Sequence, residues 1–159
     1  MLVKIYTDGA ARGNPDGPGG YGTILSCVDA QGQEHIREFS QGYKKTTNNR
    51  MELMAAIAGL EALNRSCEVD LYSDSKYLVD AFNQKWIDGW VRNNWVRPKT
   101  GPVKNSDLWK RLLAAMNPHK VTFHWVKGHD GHPGNERCDR LATGAADGGN
   151  LLVDEGVGN

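Results

Sequence analysis

The chain has no long apolar run, few cysteines and no net charge, and each shortage narrows what it can be. Nothing approaches the roughly 20 consecutive apolar residues that span a bilayer, so no membrane helix is expected. The start, Met1-Leu2-Val3-Lys4-Ile5-Tyr6, is broken by a charge and lacks the layout of a secretory signal. Three cysteines, Cys27, Cys67 and Cys138, are odd in number and far apart. They make no disulfide framework and suit free thiols in a reducing cytoplasm, which is the expected location. There is no internal repeat and no linker. Composition is that of a soluble globular protein, 39% hydrophobic and 24% charged. At 159 residues a single domain, expected over residues 1–146, can bury about 70% of its unfolded surface.

A net charge of zero argues against a polyanionic partner only until the charges are placed. Residues 85–111 carry Lys85, Arg92, Arg97, Lys99, Lys104, Lys110 and Arg111 against Asp88 and Asp107, seven minus two, or +5, which leaves −5 for the remainder. Such a segment is either a solvated face or a local seat for a polyanion. Trp86 and Trp90 stand four apart on one helix face within it. Tryptophans at that spacing usually pack a core, but among cations they also suit a groove that meets sugars and phosphates.

Patterning predicts an α/β fold. Residues 2–7, 21–28 and 35–43 read as strands of an antiparallel meander, the last two separated by the turn Asp29-Ala30-Gln31-Gly32. Residues 48–63 are apolar nearly all round, as in a buried helix. Residues 68–73 form a strand that returns through that helix and so pairs in parallel. Two short helices follow within 75–90, then helix 106–116, strand 121–126 and helix 135–146. The expectation is a five-stranded mixed sheet, three antiparallel strands with parallel additions, and flanking helices. Residues 147–159, with four glycines and three acids, are expected to be a disordered tail.

Two apparent motifs carry nothing. Gly17-Pro18-Gly19-Gly20-Tyr21-Gly22 matches G-x-G-x-x-G, but the strand-like Thr23-Ile24-Leu25-Ser26-Cys27-Val28 follows where a dinucleotide site needs a helix N-terminus. It reads as a glycine-rich bend. His129-x-x-His132 with Cys138 lacks the paired spacing of structural zinc sites.

Four acids edge into apolar stretches where packing residues belong, and a bare buried charge must be paired, protonated or bound to metal. Asp8 lies in Tyr6-Thr7-Asp8-Gly9, Glu52 in Thr46-Thr47-Asn48-Asn49-Arg50-Met51-Glu52, Asp74 in Leu71-Tyr72-Ser73-Asp74-Ser75, and Asp139 in Asn135-Glu136-Arg137-Cys138-Asp139. Each has a local alternative. Asp8 could cap a turn with Gly9, Glu52 could close a capping box on Asn49, and Asp139 could be a solvated helical acid. Asp74 ends a parallel strand, at the edge where open α/β sheets place their sites. As a set, hard oxygen ligands on rigid elements suit Mg²⁺, and two ions about 4 Å apart can clamp an in-line phosphodiester displacement.

These acids in their settings, with Trp125-Val126-Lys127-Gly128-His129 upstream of the fourth, closely resemble bacterial type 1 ribonuclease H from Leu2 to about Ala146. The resemblance implies the ribonuclease H-like fold and endonucleolytic hydrolysis of the RNA strand of RNA–DNA hybrids, leaving 5′-phosphate and 3′-hydroxyl ends. It implies that Asp8, Glu52, Asp74 and Asp139 hold two Mg²⁺ ions with substrate bound, Mn²⁺ serving as a substitute, and that loop residue His129 acts in proton transfer and product departure. Gly9, Asn14, Asn48, Asn49 and Lys76 should contact the RNA strand. Lys45, Thr47 and Asn105 should form a pocket for a DNA phosphate, and Trp86 and Trp90 belong to a protrusion lining the DNA channel. Val91, Asn93 and Asn94 stand where the bacterial pattern is often more basic. A monomer acting on hybrid duplex, with no membrane partner, is the expected state. Two other readings remain: a related sheet-based nuclease or strand-transfer enzyme, and a non-catalytic hybrid-binding module, which would need one of the acids to be missing.

Overall fold

A computed structural model describes residues 1–13, 17–127 and 132–158. Three antiparallel strands open the chain: β1 (Leu2–Ala11), β2 (Gly19–Val28) and β3 (Glu34–Tyr43). Helix α1 (Asn48–Glu61) leads to β4 (Glu68–Ser73), then α2 (Lys76–Asn83) and α3 (Trp86–Arg92). The short strands β5 (Val96–Arg97) and β6 (Gly101–Pro102) pair with each other. Helix α4 (Ser106–Met116), β7 (Lys120–Trp125), α5 (Pro133–Asp147) and β8 (Leu151–Leu152) complete the order. The main sheet runs β7-β4-β1-β2-β3-β8. β4 joins β1 in parallel and β7 joins β4 in parallel. No helix among the described residues is long and apolar enough to cross a membrane.

One face of the sheet is covered by α1, whose Met51, Leu53, Ile57 and Leu60 are fully buried, each contributing roughly 1.5–3 kcal/mol. α4 packs on α1 through Trp109 and Leu112, and α2 packs near β7. α5 covers the other face, against β1, β2 and β3.

Three expectations are corrected. The sheet has six strands because Leu151–Leu152 pairs in parallel with Gly42–Tyr43. The segment after α5 is correspondingly fixed rather than disordered over its described part: Lys44 N–H donates to Leu152 O at 2.8 Å, and the buried Asp154 carboxylate takes hydrogen bonds from Thr46 and Arg50. The glycines at 19, 20 and 22 are not a bend but lie inside β2. A Cβ on Gly22 would sit 2.3 Å from Cys138 O, and one on Gly20 2.7 Å from Ala142 O. Glycine is there because α5 rests directly on the strand backbone.

Candidate active site

The sheet register assembles the site. Asp8 pairs with Gly22 across β1 and β2, and Gly22 underlies Cys138, so Asp139 is delivered beside Asp8. On the next residue of β1 a Cβ at Gly9 would lie 2.5 Å from Glu52 N, so α1 approaches equally closely and brings Glu52 in. Asp74 follows directly on β4, the parallel neighbour of β1. Carboxylate oxygens of Asp8, Glu52 and Asp74 consequently lie within 4.8 Å of one another. Asp139 is half-buried on α5 and near enough to Asp8 to raise it; it stands outside that tight trio.

The local alternatives for Glu52 and Asp8 fall away. Helix α1 is capped by Thr47, whose hydroxyl accepts from Arg50 N–H, so Glu52 closes no capping box on Asn49. β1 continues past Asp8 to Ala11, so Asp8 is a strand residue and not a turn cap, although its Oδ1 does accept from Gly9 N–H at 3.0 Å.

Burial and mutual repulsion make Asp8 and Glu52 reluctant to ionise. Asp8 is pushed up to about 8 by desolvation, then by the charge of Asp74 and by Asp139. Glu52 is raised well above the ordinary carboxylate range by complete burial, and next by Asp8 and Asp74. Its Oε1 is buried with no hydrogen-bond partner. A buried acceptor of this kind is costly unless a cation or donor reaches it. An all-oxygen donor set with an orphaned carboxylate oxygen fits a hard divalent cation.

The structure places the remaining site candidates unevenly. Asn14 and His129 lie outside the described residues. Gly9 is the close-approach point just described. Lys45, Asn48 and Asn49 are exposed around the start of α1, beside Thr47. Asn105 adopts a left-handed backbone (φ 61°) before α4, and its side chain bridges Arg50 and the Tyr77 hydroxyl. Lys76 places its ammonium 4.7 Å from the ring centre of Trp125, whose indole N–H donates to Asp74 O. Trp86 and Trp90 part company: Trp86 is exposed, whereas Trp90 packs against Trp95 and the fully buried Trp109.

Asn135 and Trp125 also border the site, although nothing in the sequence marks them for it. Asn135 donates to Thr7 O at 3.2 Å and Tyr72 O at 3.5 Å, tying α5 to the residues just before or nearly before Asp8 and Asp74. An asparagine two positions after Pro133, in the first turn of a helix, gives no such signal. Cys138 is only structural; burial pushes its thiol up and it donates to Tyr6 O.

Comparison with known proteins agrees with this geometry. The family model for RNase H matches residues 2–147. A ribonuclease H of Lachnoclostridium phytofermentans is 74% identical over 157 residues, covering 99% of each chain. One of Pseudoalteromonas atlantica is 53% identical, covering 97% of this chain and 96% of its own. Among solved structures, LC9-RNase H1, a type 1 RNase H with the type 2 active-site motif, superposes with a TM-score of 0.84 at 34% identity, covering 98% of this chain and 78% of its own. The fold and carboxylate centre define a metal-dependent nuclease of mixed α/β type. The chain belongs to the RNase H family.

Proposed function

We infer that the protein is an endoribonuclease that hydrolyses the RNA strand of RNA–DNA hybrids, with Asp8, Glu52, Asp74 and Asp139 as ligands of Mg²⁺, two ions with substrate bound. The observation that carries this reading is the convergence of three carboxylates within 4.8 Å, with Glu52 Oε1 unpartnered. Bound there, the ions would supply positive charge to a phosphodiester under in-line attack by water. The protein's own part is to hold the acids on β1, α1, the end of β4 and α5 and to bury them, where an uncompensated carboxylate favours a hard cation. Glu52, at the protein side of the cluster, is suited to meet the ribose 2′-hydroxyl that separates RNA from DNA. Gly9, Asn14, Asn48, Asn49 and Lys76 serve as contacts to the RNA strand. Lys45, Thr47 and Asn105 serve a DNA phosphate, and exposed Trp86 serves the DNA channel. Trp90, packed on the core, supports that protrusion from beneath. His129 acts in proton transfer. The protein works as a cytoplasmic monomer on hybrid duplex.

The test separates chemistry from binding. Asp8→Asn and Asp74→Asn should abolish cleavage while hybrid affinity, read by fluorescence anisotropy, stays near wild type, and Mg²⁺ titration calorimetry should show weakened ion binding. Residual cleavage within about tenfold of wild type in either variant would remove these residues from the ion site.

A further inference from the structure

We propose that the segment following α5 positions the DNA-phosphate pocket, with Asp154 acting through Arg50 and Thr46 on Asn105 and Thr47. The inference rests on the reading of Thr47 and Asn105 as phosphate contacts. It concerns residues past 147, where the family match ends.

Pairing of β8 with β3 carries the chain back beneath the start of α1. There the Asp154 carboxylate, 8% exposed, accepts from Thr46 Oγ1 at 2.7 Å and from Arg50 Nε and Nη2 at 2.7 and 2.9 Å. The Arg50 side chain is 1% exposed. Its opposite edge donates to both oxygens of Asp107, and Nη1 also donates to Asn105 Oδ1 at 3.2 Å. A guanidinium is a rigid planar fork. Gripped along two edges it cannot rotate, so the direction in which Nη1 points at Asn105 is set by Asp154 and Asp107 together.

That contact decides how Asn105 presents itself. Guanidinium only donates, so the amide must turn its oxygen toward Arg50 and its nitrogen away from it. Nδ2 donates to the Tyr77 hydroxyl at 3.0 Å, which leaves the second amide N–H for a phosphate oxygen. On the other side, Asp154 holds the Thr46 hydroxyl, and with it the backbone leading into Thr47 and its exposed neighbours. With the charge at 154 gone, Arg50 keeps only the half-exposed Asp107 (42% side-chain exposure), and the fork can pivot away from Asn105. Buried ion pairs add little to stability over a well-packed apolar replacement, so positioning is the role that requires the charge.

Steady-state cleavage tests this, with hybrids carrying one neutral methylphosphonate scanned along the DNA strand. In wild type one linkage should raise KM about tenfold, the loss of one charge-assisted hydrogen bond to phosphate. Asp154→Asn should raise KM on unmodified hybrid by about the same factor, keep kcat within about twofold and erase the sensitivity at that linkage. Asn105→Ala should do the same, and the double variant should be no worse than either. If Asp154→Asn does not fold, the packed pair Arg50→Met with Asp154→Leu takes its place with the same expectation. A normal KM and scan for Asn105→Ala would overturn the pocket reading itself. A loss in Asn105→Ala with a wild-type KM and scan in the position-154 variant would overturn the positioning role alone. A fall in kcat that matches the KM effect would overturn it too.

Discussion

Raising the pH from about 5 to about 7 in EDTA should weaken this protein, the reverse of what carboxylate-rich surfaces do, because Asp8 and Glu52 are held protonated by the fold. Asp8 is pushed from 3.8 to about 8, chiefly by burial and next by Asp74. Between those values the folded state keeps a proton that the unfolded chain has released. Stability tied to that proton is therefore full near the unfolded value and is lost as pH climbs toward about 8. Each such proton takes roughly 1.4 kcal/mol per pH unit, so two units remove roughly 2–3 kcal/mol. For a domain of this length that is a fall in Tm of roughly 5–10 °C. Glu52 shifts in the same direction and can only steepen the slope. Asp8→Asn should be more stable than wild type in EDTA at neutral pH and should lose about one proton's worth of the slope. Mg²⁺ should flatten the wild-type profile, because ion binding expels the protons and tightens as pH rises. Calorimetric melts of both proteins across this range, with EDTA and with Mg²⁺, make the measurement. A wild-type Tm that is level or rising between about pH 5 and 7 in EDTA, or a variant less stable than wild type there, would refute the argument.

Two glycines on opposite sides of the α5 contact should respond in opposite ways. Gly22→Ala forces a Cβ to 2.3 Å from Cys138 O, so α5 and Asp139 must move, with a loss of about 1–3 kcal/mol in urea denaturation and a fall in cleavage. Gly144→Ala, with nothing within 4 Å, should stabilise α5 by roughly 0.5–1 kcal/mol and leave cleavage unchanged. His129→Ala should slow turnover by about 10²–10⁴-fold without eliminating it, and unchanged turnover at neutral pH would return that residue to a solvated loop histidine.

Much of this architecture could be read from residues alone, for identifiable reasons. The meander, α1, β4 and α4 announce themselves because their burial follows local periodicity: Val3 and Ile5 alternate into the core, and α1 is buried on nearly every side. The four acids stand out because each interrupts an apolar stretch. What escaped the reading depends on distant partners. Gly20 and Gly22 look like part of a bend until α5 is seen resting on them. Leu151 and Leu152 form a strand only because Gly42 and Tyr43 offer an open edge. Asp154 lies in a polar, glycine-rich stretch and gains its meaning from Arg50, more than a hundred residues earlier. Trp86 and Trp90 share a spacing, yet only the approach of Trp95 and Trp109 separates the exposed ring from the packed one.

The most direct test of the central claim is an end-labelled substrate panel of RNA–DNA hybrid, RNA duplex and DNA duplex, each incubated with Mg²⁺ and with chelator. The structure predicts that only the hybrid is cut, only in its RNA strand and only with the ion present, leaving 5′-phosphate and 3′-hydroxyl ends. Cleavage of the DNA duplex, or hybrid cleavage that persists in chelator, would contradict the account.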